Sequence, residues 1–332
     1  MAGKIVRLTV AAALTALVLY WSNPRHILAA AADADWRWIA ASLGLVLVDR
    51  SLMALRWIDL LVALAPGSRP PLRIVLTIFF ESSFVSNFVP SVASDLYRAY
   101  ALSQYDVHLA ESTASVLMDR ALGVLSVVLV GGAALPFASG IAERGQMVFW
   151  MSAIFLVCVV AAAVVFSARA GGWVRRCTSL IPIGLLQRAA TALTDAVTRY
   201  AGHHGIMTKV LVESIAVQII RVLQAWCLGR AIGIELPLIA YFVFVPLIVL
   251  IMQLPVTING IGTTQAAFAW LFVPQGADAA AVFALSVLFL ALGIVGTLPG
   301  GVLYGLEPRP LHSPRNAEEV VPRTTRNTRN RA

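Results

Sequence analysis

The chain has 332 residues, of which 59% are hydrophobic and only 13% charged, and its formal net charge is +8. A soluble domain would carry about 25% charged residues, so this composition excludes a water-soluble globular protein and indicates an integral membrane protein. The positive charge lies in loops and the tail, where it orients a membrane protein and meets anionic lipid headgroups. No nucleic-acid-binding module remains once the apolar segments are set aside, so we predict lipid partners and no nucleic acid.

Six apolar stretches are long enough to cross a membrane, because a spanning helix needs about 20 residues. They lack the strict alternation of barrel strands. They cover residues 4–21, 38–56, 113–136, 147–168, 206–231 and 279–305. No small-residue cleavage pattern follows Trp21, so the first stretch is predicted to be a retained span. With two broken segments added, we predict an all-α polytopic transmembrane helix bundle of about six to eight membrane segments.

The two broken segments, 72–90 and 238–273, are apolar but interrupted by proline and polar residues. The first contains Asn87 and Pro90, and the second runs through 255–264 with Gly260 among its residues. Proline removes a backbone donor and glycine permits unusual backbone angles. Each segment therefore indicates non-helical backbone at membrane depth, which protein or water must cover. A kinked ordinary helix followed by a loop is the alternative.

Basic loops predict the cytoplasmic side of the membrane. The N-terminus, the stretch from Arg56 to Arg73, residues 169–188 and the tail are rich in arginine or lysine. Alternating crossings then make 72–100 a re-entrant element of the cytoplasmic face. The same count of crossings requires residues 238–275 to begin and end at the external face. They do so either as a re-entrant element or as two full crossings. Both termini are predicted to be cytoplasmic, in a bacterial-type inner membrane.

Two segments are predicted to lie outside the membrane. Residues 184–200 place apolar side chains on one helical face and polar ones on the other, which is typical of an interfacial helix. Residues 307–332 are rich in proline, arginine, asparagine and threonine, so we predict a disordered basic cytoplasmic tail after a membrane domain at 1–306.

A weak internal repeat links the two halves of the chain. Ser-Val-Leu at 115–117 precedes Ala-Leu-Gly at 121–123, and Ser-Val-Leu at 286–288 precedes Ala-Leu-Gly at 291–293. Each copy follows a broken segment, and the predicted topology gives the halves opposite orientations. This pattern favours the inverted repeat of many transporters, although apolar helices also resemble one another by chance.

Polar residues inside membrane segments are candidate functional residues, because an intramembrane charge costs about 3 kcal/mol or more. The candidates for substrate binding or gating are Glu81, Asn87, Pro90, Asp95, Arg98, Asp119, Arg120, Gln218, Arg221, Asn259, Gly260, Gly262 and Gln265.

Several of these candidates admit a structural role as well. Arg120 has the fork of donors that suits a lipid phosphate, or it forms a salt bridge to a neighbouring helix. Asp95 and Arg98 are spaced to share a helical face, for function or for anchoring at the interface. Glu81 is a candidate for proton coupling or a structural carboxylate with satisfied hydrogen bonds.

The remaining candidates lie in the second half of the chain. Ser214, Gln218 and Arg221 form one polar stripe, which faces a cavity or makes interhelical hydrogen bonds. Gly260 and Gly262 belong to the second break, where half-helix N-termini would direct positive dipole ends at an anionic headgroup.

Known catalytic signatures are missing from the sequence. It contains no GxSxG, no HExxH and no GxxxxGK[ST], and its three cysteines form no CxxC pair. We therefore predict no catalytic residue, no metal site and no cofactor.

Several of these residues form a familiar pattern. It begins with an asparagine and a proline three residues later, continues with an acid that has an arginine three residues on, and ends with an acid-arginine pair that opens an apolar helix. With Asn87, Pro90, Asp95, Arg98 and the pair Asp119-Arg120, it resembles the lysylphosphatidylglycerol synthase transmembrane family, which is flippase-like. A proline followed by Gly-x-Gly, here at 255 and 260–262, is also similar to that family. The family usually has glycines between Pro90 and Asp95, whereas this chain has other small residues and valine there. Gln265 stands where an acid is common in the family.

The resemblance implies a protein that translocates or handles a lipid or lipid-linked substrate across the inner membrane. No aminoacyltransferase domain follows the membrane domain, so it implies the transport half of such proteins and not lysine transfer, and no enzymatic activity. The alternatives are an accessory subunit or membrane-embedded enzyme of cell-envelope lipid or glycan synthesis, and a small-solute transporter.

Overall fold

The structure is a computed structural model. It describes residues 34–64, 70–89, 91–105, 107–137, 153, 156, 191–192, 195–200, 202–253, 260 and 262–306. This part of the chain contains nine α-helices and no strand, so the all-α prediction is confirmed. The helices are α1 Trp36–Leu64, α2 Leu72–Val85, α3 Ser91–Ser103, α4 Leu109–Ala134, α5 His204–Ala231, α6 Leu238–Gln253, α7 Thr263–Phe272, α8 Ala279–Val295 and α9 Leu298–Leu306. The predictions for 4–21, 147–168, most of 184–200 and 307–332 lie outside the described residues.

Three described stretches are long and apolar enough to cross a membrane. They are Trp36–Leu64, Leu109–Phe137 and Ala279–Gly305. The shorter helix Leu238–Gln253 is also apolar. These stretches fall on three of the predicted spans and on one of the two broken segments.

Helices α1 and α5 are antiparallel neighbours. At one end, the Asp35 amide donates to the carbonyl of Ala231 at 2.9 Å, and at the other end Lys209 Nζ lies 2.7 Å from Asp59 Oδ2. We call these ends the Asp35 side and the Asp59 side. The hydroxyl of Tyr200 donates to the carbonyl of Leu60 on the Asp59 side, and burial raises the pKa of Tyr200.

Polar contacts along the α1–α5 seam recur every seven residues of α1. Ser42 donates to the carbonyl of Gln224, Asp49 accepts from Arg221, and Arg56 donates to Ser214. A seven-residue period keeps one face of a helix against its partner. The seam therefore brings polar side chains of both helices to the interior of the bundle.

Helices α2 and α3 form a hairpin whose two ends lie on the Asp59 side. α2 begins soon after α1 ends there, and the end of α3 contacts the start of α4, where Ser112 donates to the carbonyl of Ala99. The first half of α4 packs against Leu60 in one hydrophobic cluster, and the end of α4 packs with Ile234 in another. The chain thus enters and leaves at one end of the bundle, as predicted for a re-entrant element.

Helices α6 and α7 form a second hairpin, which opens to the Asp35 side. The ring of Tyr241, near the start of α6, lies 5.1 Å from that of Phe272, the last residue of α7. The two hairpins therefore open to opposite ends of the bundle, and α4 and α8, which carry the two copies of the sequence repeat, follow them. This element order is the one that an inverted repeat requires.

The structure refines one detail of the sequence prediction and corrects another. A two-residue turn at 296–297 divides the stretch 279–305 into α8 and α9, because Pro299 in the first turn of α9 has no backbone N–H to continue the helix. The whole stretch is still long and apolar enough to cross a membrane. The predicted helix at 38–56 continues to Leu64. Arg56, which was expected to mark a cytoplasmic loop, is therefore buried within α1, where an acidic partner from α4 compensates its charge.

Candidate functional site

A cavity of about 280 Å³ lies where the tip of the first hairpin and the end of α6 approach α1, α4, α5 and α8. Asn87 from that tip, Gln253 from the end of α6 and Thr297 from the α8–α9 break all contribute to its wall. Among the described residues, its charged lining consists of Arg50, Arg56, Arg98, Arg120, Arg221, Asp49 and Asp119. Five arginines against two aspartates give the wall an excess of positive charge.

The first charged cluster joins three helices through one carboxylate. Arg56 Nε of α1 donates to Asp119 Oδ1 of α4 at 2.6 Å, and Arg98 Nη1 of α3 lies 3.7 Å from Asp119 Oδ2. Arg56 also donates to Ser214, and Arg98 to Ser82. All three charged side chains are buried. Because buried charges need partners in good geometry, this cluster holds α1, α3 and α4 in one arrangement.

Aromatic rings hold Arg98 from the side away from Asp119. Its guanidinium carbon lies 5.1 Å from the ring centre of Trp57 and 5.0 Å from that of Phe79. A guanidinium at this distance is attracted by the electron-rich ring face. Trp57 is fixed in turn, because its indole nitrogen donates to Ser115 at 3.2 Å.

The second charged cluster also places two arginines on one aspartate, and it joins α1 to α5. Arg221 Nε of α5 donates to Asp49 Oδ1 of α1 at 3.0 Å, and Arg50 Nε lies 3.9 Å from Asp49 Oδ2. Arg50 also donates to the carbonyl of Gly293 in α8 at 3.3 Å. Each cluster thus has two arginines on one aspartate, and this ratio leaves positive charge at the cavity wall.

Arg120 lines the cavity at the outer surface of the helix bundle. Its Nε and Nη2 donate to the two carboxylate oxygens of Asp95 at 2.8 and 3.0 Å. The Arg120 side chain is 40% exposed, whereas those of Arg56 and Arg98 are 4% and 7% exposed. On the outer face of α3, Leu96 is exposed as expected for a residue in contact with lipid. Arg120 is therefore the most exposed of the charged residues that line the cavity, and its pair with Asp95 joins α3 to α4.

The structure brings about half of the predicted site residues together. The predicted residues in the cavity wall are Asn87, Arg98, Asp119, Arg120, Gln218 and Arg221. Asp95 binds Arg120 at its edge. Glu81 is buried on α2, where it accepts from the Tyr97 hydroxyl at 2.9 Å, and it is not part of the wall.

The predicted residues of the second break form the start of α7. Gly260 and Gly262 have positive φ angles of 74° and 86°, which favour glycine. The Gln265 side chain accepts from the amide of Gly262 at 2.7 Å and so caps the helix. None of these three residues lines the cavity, and Pro90 and Asn259 lie outside the described residues.

Sequence reasoning missed the contribution of α1, which supplies Asp49, Arg50 and Arg56. Asp49-Arg50 is an adjacent acid-arginine pair inside an apolar stretch, the same pattern that singled out Asp119-Arg120. The rule that intramembrane charges are functional candidates would have found it. Arg56 lay at the predicted end of that stretch, beside a basic loop, and so gave no sign of an intramembrane charge.

The sequence model of the lysylphosphatidylglycerol synthase TM region matches residues 5–300. The chain belongs to this family. Membership and the apolar helices together establish a multi-pass membrane protein. No curated protein and no solved structure matches the chain.

Proposed function

We propose that this member of the family translocates a lipid or a lipid-linked substrate across a bacterial-type inner membrane. The headgroup passes through the arginine-lined cavity while the hydrocarbon tails remain in the bilayer. The observation that supports this proposal is the position of the cavity, between two hairpins that open to opposite ends of a membrane bundle.

The chemistry of the wall suits this task. A polar headgroup pays a large free-energy cost in hydrocarbon, because its hydrogen bonds to water are lost. The serines, glutamines and arginines of the wall replace part of those hydrogen bonds. In this proposal the substrate enters between α3 and α4 beside the exposed Arg120, so that its tail stays in contact with lipid while its headgroup is inside.

The two hairpin tips act as alternating gates in this proposal. Asn87 of the first tip donates to Thr297 at the α8–α9 break at 2.7 Å, and this bond links the two halves of the chain. Access to the cavity from one side requires the tip on that side to move, while contacts of the other tip are kept. The Asp59 side faces the cytoplasm, as the basic loops indicate.

A membrane-embedded enzyme would need carboxylates free to exchange protons. The enzymatic alternative would draw on four acids that the sequence places near one face, Asp95, Asp106, Glu111 and Asp119. Of these, Asp95 and Asp119 are engaged by arginines. This engagement disfavours an acid or base role for the two groups and favours transport.

The test is translocation of headgroup-labelled lipids in proteoliposomes with a membrane-impermeant quencher. We expect protected fluorescence to be lost faster than in empty liposomes for at least one class among zwitterionic, anionic and polyprenyl-phosphate lipids. Arg120→Gln and Arg221→Gln should slow this loss by about tenfold or more, since each removes a charge from the wall. Arg37→Gln, on an exposed residue of α1, is the matched control and should have no effect.

No acceleration for any lipid with folded, inserted protein would contradict transport and favour the accessory or enzymatic alternative. Release of trapped small solutes without lipid movement would favour a small-solute transporter instead.

A further inference from the structure

A third group of charged residues lies outside the cavity, on the Asp59 side of the α1–α5 pair. Lys209 Nζ of α5 lies 2.7 Å from Asp59 Oδ2 of α1 and 3.8 Å from Glu213 Oε1, one turn further along α5. One ammonium group therefore serves two carboxyl groups. None of these three residues lines the cavity, and we call them the rim cluster.

Glu213 has fewer hydrogen-bond donors than an ionised carboxylate needs. The contact of its Oε1 with Lys209 is too long for a hydrogen bond, and its Oε2 is buried without a partner among the described residues. Its side chain is only 18% exposed. An ionised carboxylate in this position has a desolvation cost that no donor offsets. A bound proton removes that cost, because the neutral carboxyl group is desolvated more easily.

Asp59 supplies the acceptor that such a proton needs. The carboxyl groups of Asp59 and Glu213 lie within hydrogen-bonding reach of each other. Two carboxyl groups form a hydrogen bond only when one of them holds a proton, because ionised carboxylates are acceptors only. Lys209 favours the ionised form of Asp59, its nearer partner, so Glu213 is the group that takes the proton. The Asp59 side chain is 29% exposed and gives the proton a path from water.

Arg56 links the rim cluster to the cavity. It lies one turn before Asp59 on α1, donates to Asp119 at 2.6 Å, and donates to Ser214, the residue that follows Glu213. The charge of Arg56 acts on Glu213 as well. An ionised Glu213 therefore competes with Asp119 for Arg56, whereas a protonated Glu213 leaves Arg56 to Asp119. A proton at the rim thus changes the balance of charge in the cavity wall.

The surroundings of Glu213 are otherwise apolar or aromatic in the described part of the chain. The charged groups that act on it come from α1 and α5 and are Asp59, Arg56 and Lys209. α4 contributes Met118 and Leu122 to the hydrophobic cluster at this end of α5. The ring of His203 lies 6.4 Å from that of Tyr200. Three charges therefore decide whether Glu213 holds its proton.

We propose that Glu213 is a proton-binding site whose occupancy sets the charge of the cavity wall, so that translocation responds to pH at the cytoplasmic face. The assignment rests on the proposed function, because it takes the cavity to be the substrate path. The proton exchanges with water by way of the exposed Asp59 carboxyl group. Its loss leaves a carboxylate that draws Arg56 away from Asp119, and its return releases Arg56.

The first test is the infrared difference spectrum of the purified full chain in detergent between acid and alkaline pH. We expect a carbonyl band of a protonated carboxyl group that disappears at alkaline pH and is missing in Glu213→Gln. Glu235→Gln makes the same change at an exposed residue between α5 and α6 and should keep the band. Lys209→Gln should keep the band to higher pH, because it removes the charge that favours the ionised form.

The second test is lipid translocation in proteoliposomes with the same pH on both sides. The wild-type rate should change by about threefold or more between the acid and alkaline limits, because Arg56 moves between two acids. Glu213→Gln does not ionise, so it should keep the acid-limit rate at every pH. Glu213→Asp keeps an ionisable group and should keep a pH response, and Glu235→Gln should follow the wild type.

The two tests separate the proton site from the proposed function. A wild-type spectrum without the band, or a band that persists in Glu213→Gln, would overturn the proton site. A pH response that persists in Glu213→Gln, or a wild-type rate that is the same at every pH, would overturn the link through Arg56. A Glu213-dependent band in a protein that moves no lipid at any pH would leave the proton site standing and refute the proposed function.

Discussion

Asp119 compensates two buried arginines that come from different parts of the chain. It accepts from Arg56 at 2.6 Å and lies 3.7 Å from Arg98. Removing the negative charge would leave two guanidinium groups uncompensated in the interior of a membrane protein. Such a change costs more than the loss of the pair itself, because the remaining charges cannot regain water.

We therefore expect Asp119→Asn to lower the free energy of unfolding by about 3–5 kcal/mol. Asp59→Asn is the matched control, since its partner Lys209 has a side chain that is 58% exposed. That variant should lose about 1 kcal/mol or less. Unfolding of both purified variants in mixed micelles measures the difference. Equal losses would show that the buried cluster contributes no more than a surface ion pair.

At the scale of residues, the sequence predicted which side chains matter better than it predicted their partners. Asp119 and Arg120 were identified because charges are rare in apolar segments, and their sequence neighbourhood shows that they do not pair with each other. Their partners, Arg56 and Asp95, lie 63 and 25 residues away. Such pairs depend on how helices pack, and one sequence does not specify that packing.

At the scale of elements, α9 lies unusually close to α2. A methyl group at Gly300 would overlap the carbonyl oxygen of Phe80, and one at Gly301 would contact the ring of Phe84. Small residues permit close approach of helix backbones in membranes. The contact holds α9 against α2, and Thr297, just before α9, accepts from Asn87, just after α2.

Gly300→Ala should therefore lower the free energy of unfolding by about 1–3 kcal/mol, because the added methyl group forces α9 away from α2. It should also reduce the Arg120-dependent lipid translocation expected above. Gly132→Ala is the control, since a methyl group there meets no atom within 4 Å. Gly132 lies in the last turn of α4, so this change should leave the free energy of unfolding unchanged or raise it by about 0.5 kcal/mol. A neutral Gly300→Ala would mean that the two helices separate freely.

Helix boundaries were the weakest part of the prediction at this scale. The break at 296–297 falls beside Gly296 and Pro299, which are local signs of a helix end that the long apolar run around them outweighed in the prediction. The seven-residue polar spacing of Ser42, Asp49 and Arg56 was visible in the sequence. It became informative only with α5 as the partner, because the matching positions Gln224, Arg221 and Ser214 run in the opposite direction along α5.

At the scale of the whole molecule, counting charges and crossings predicted two hairpins that open to opposite ends. The structure has this arrangement in α2–α3 and α6–α7. The prediction succeeded because crossing parity and the positive-inside rule act on the whole chain and do not need exact helix boundaries. They also predict an absolute orientation, in which we expect Lys209 on the Asp59 side to be cytoplasmic and Gln275, between α7 and α8, to be external.

Single cysteines test this orientation in a background where Cys158, Cys177 and Cys227 are replaced by alanine. A membrane-impermeant maleimide added to intact spheroplasts should label Gln275→Cys, and it should label Lys209→Cys only after permeabilisation. Because arginine-rich loops are usually retained in the cytoplasm, we expect the Asp59 side, where α1 ends before the loop that contains Arg69, to be cytoplasmic. The reverse pattern would place the α2–α3 hairpin at the external face. Labelling of both sites in intact spheroplasts would mean that the chain inserts in two orientations, and the cavity would then face both compartments in the population.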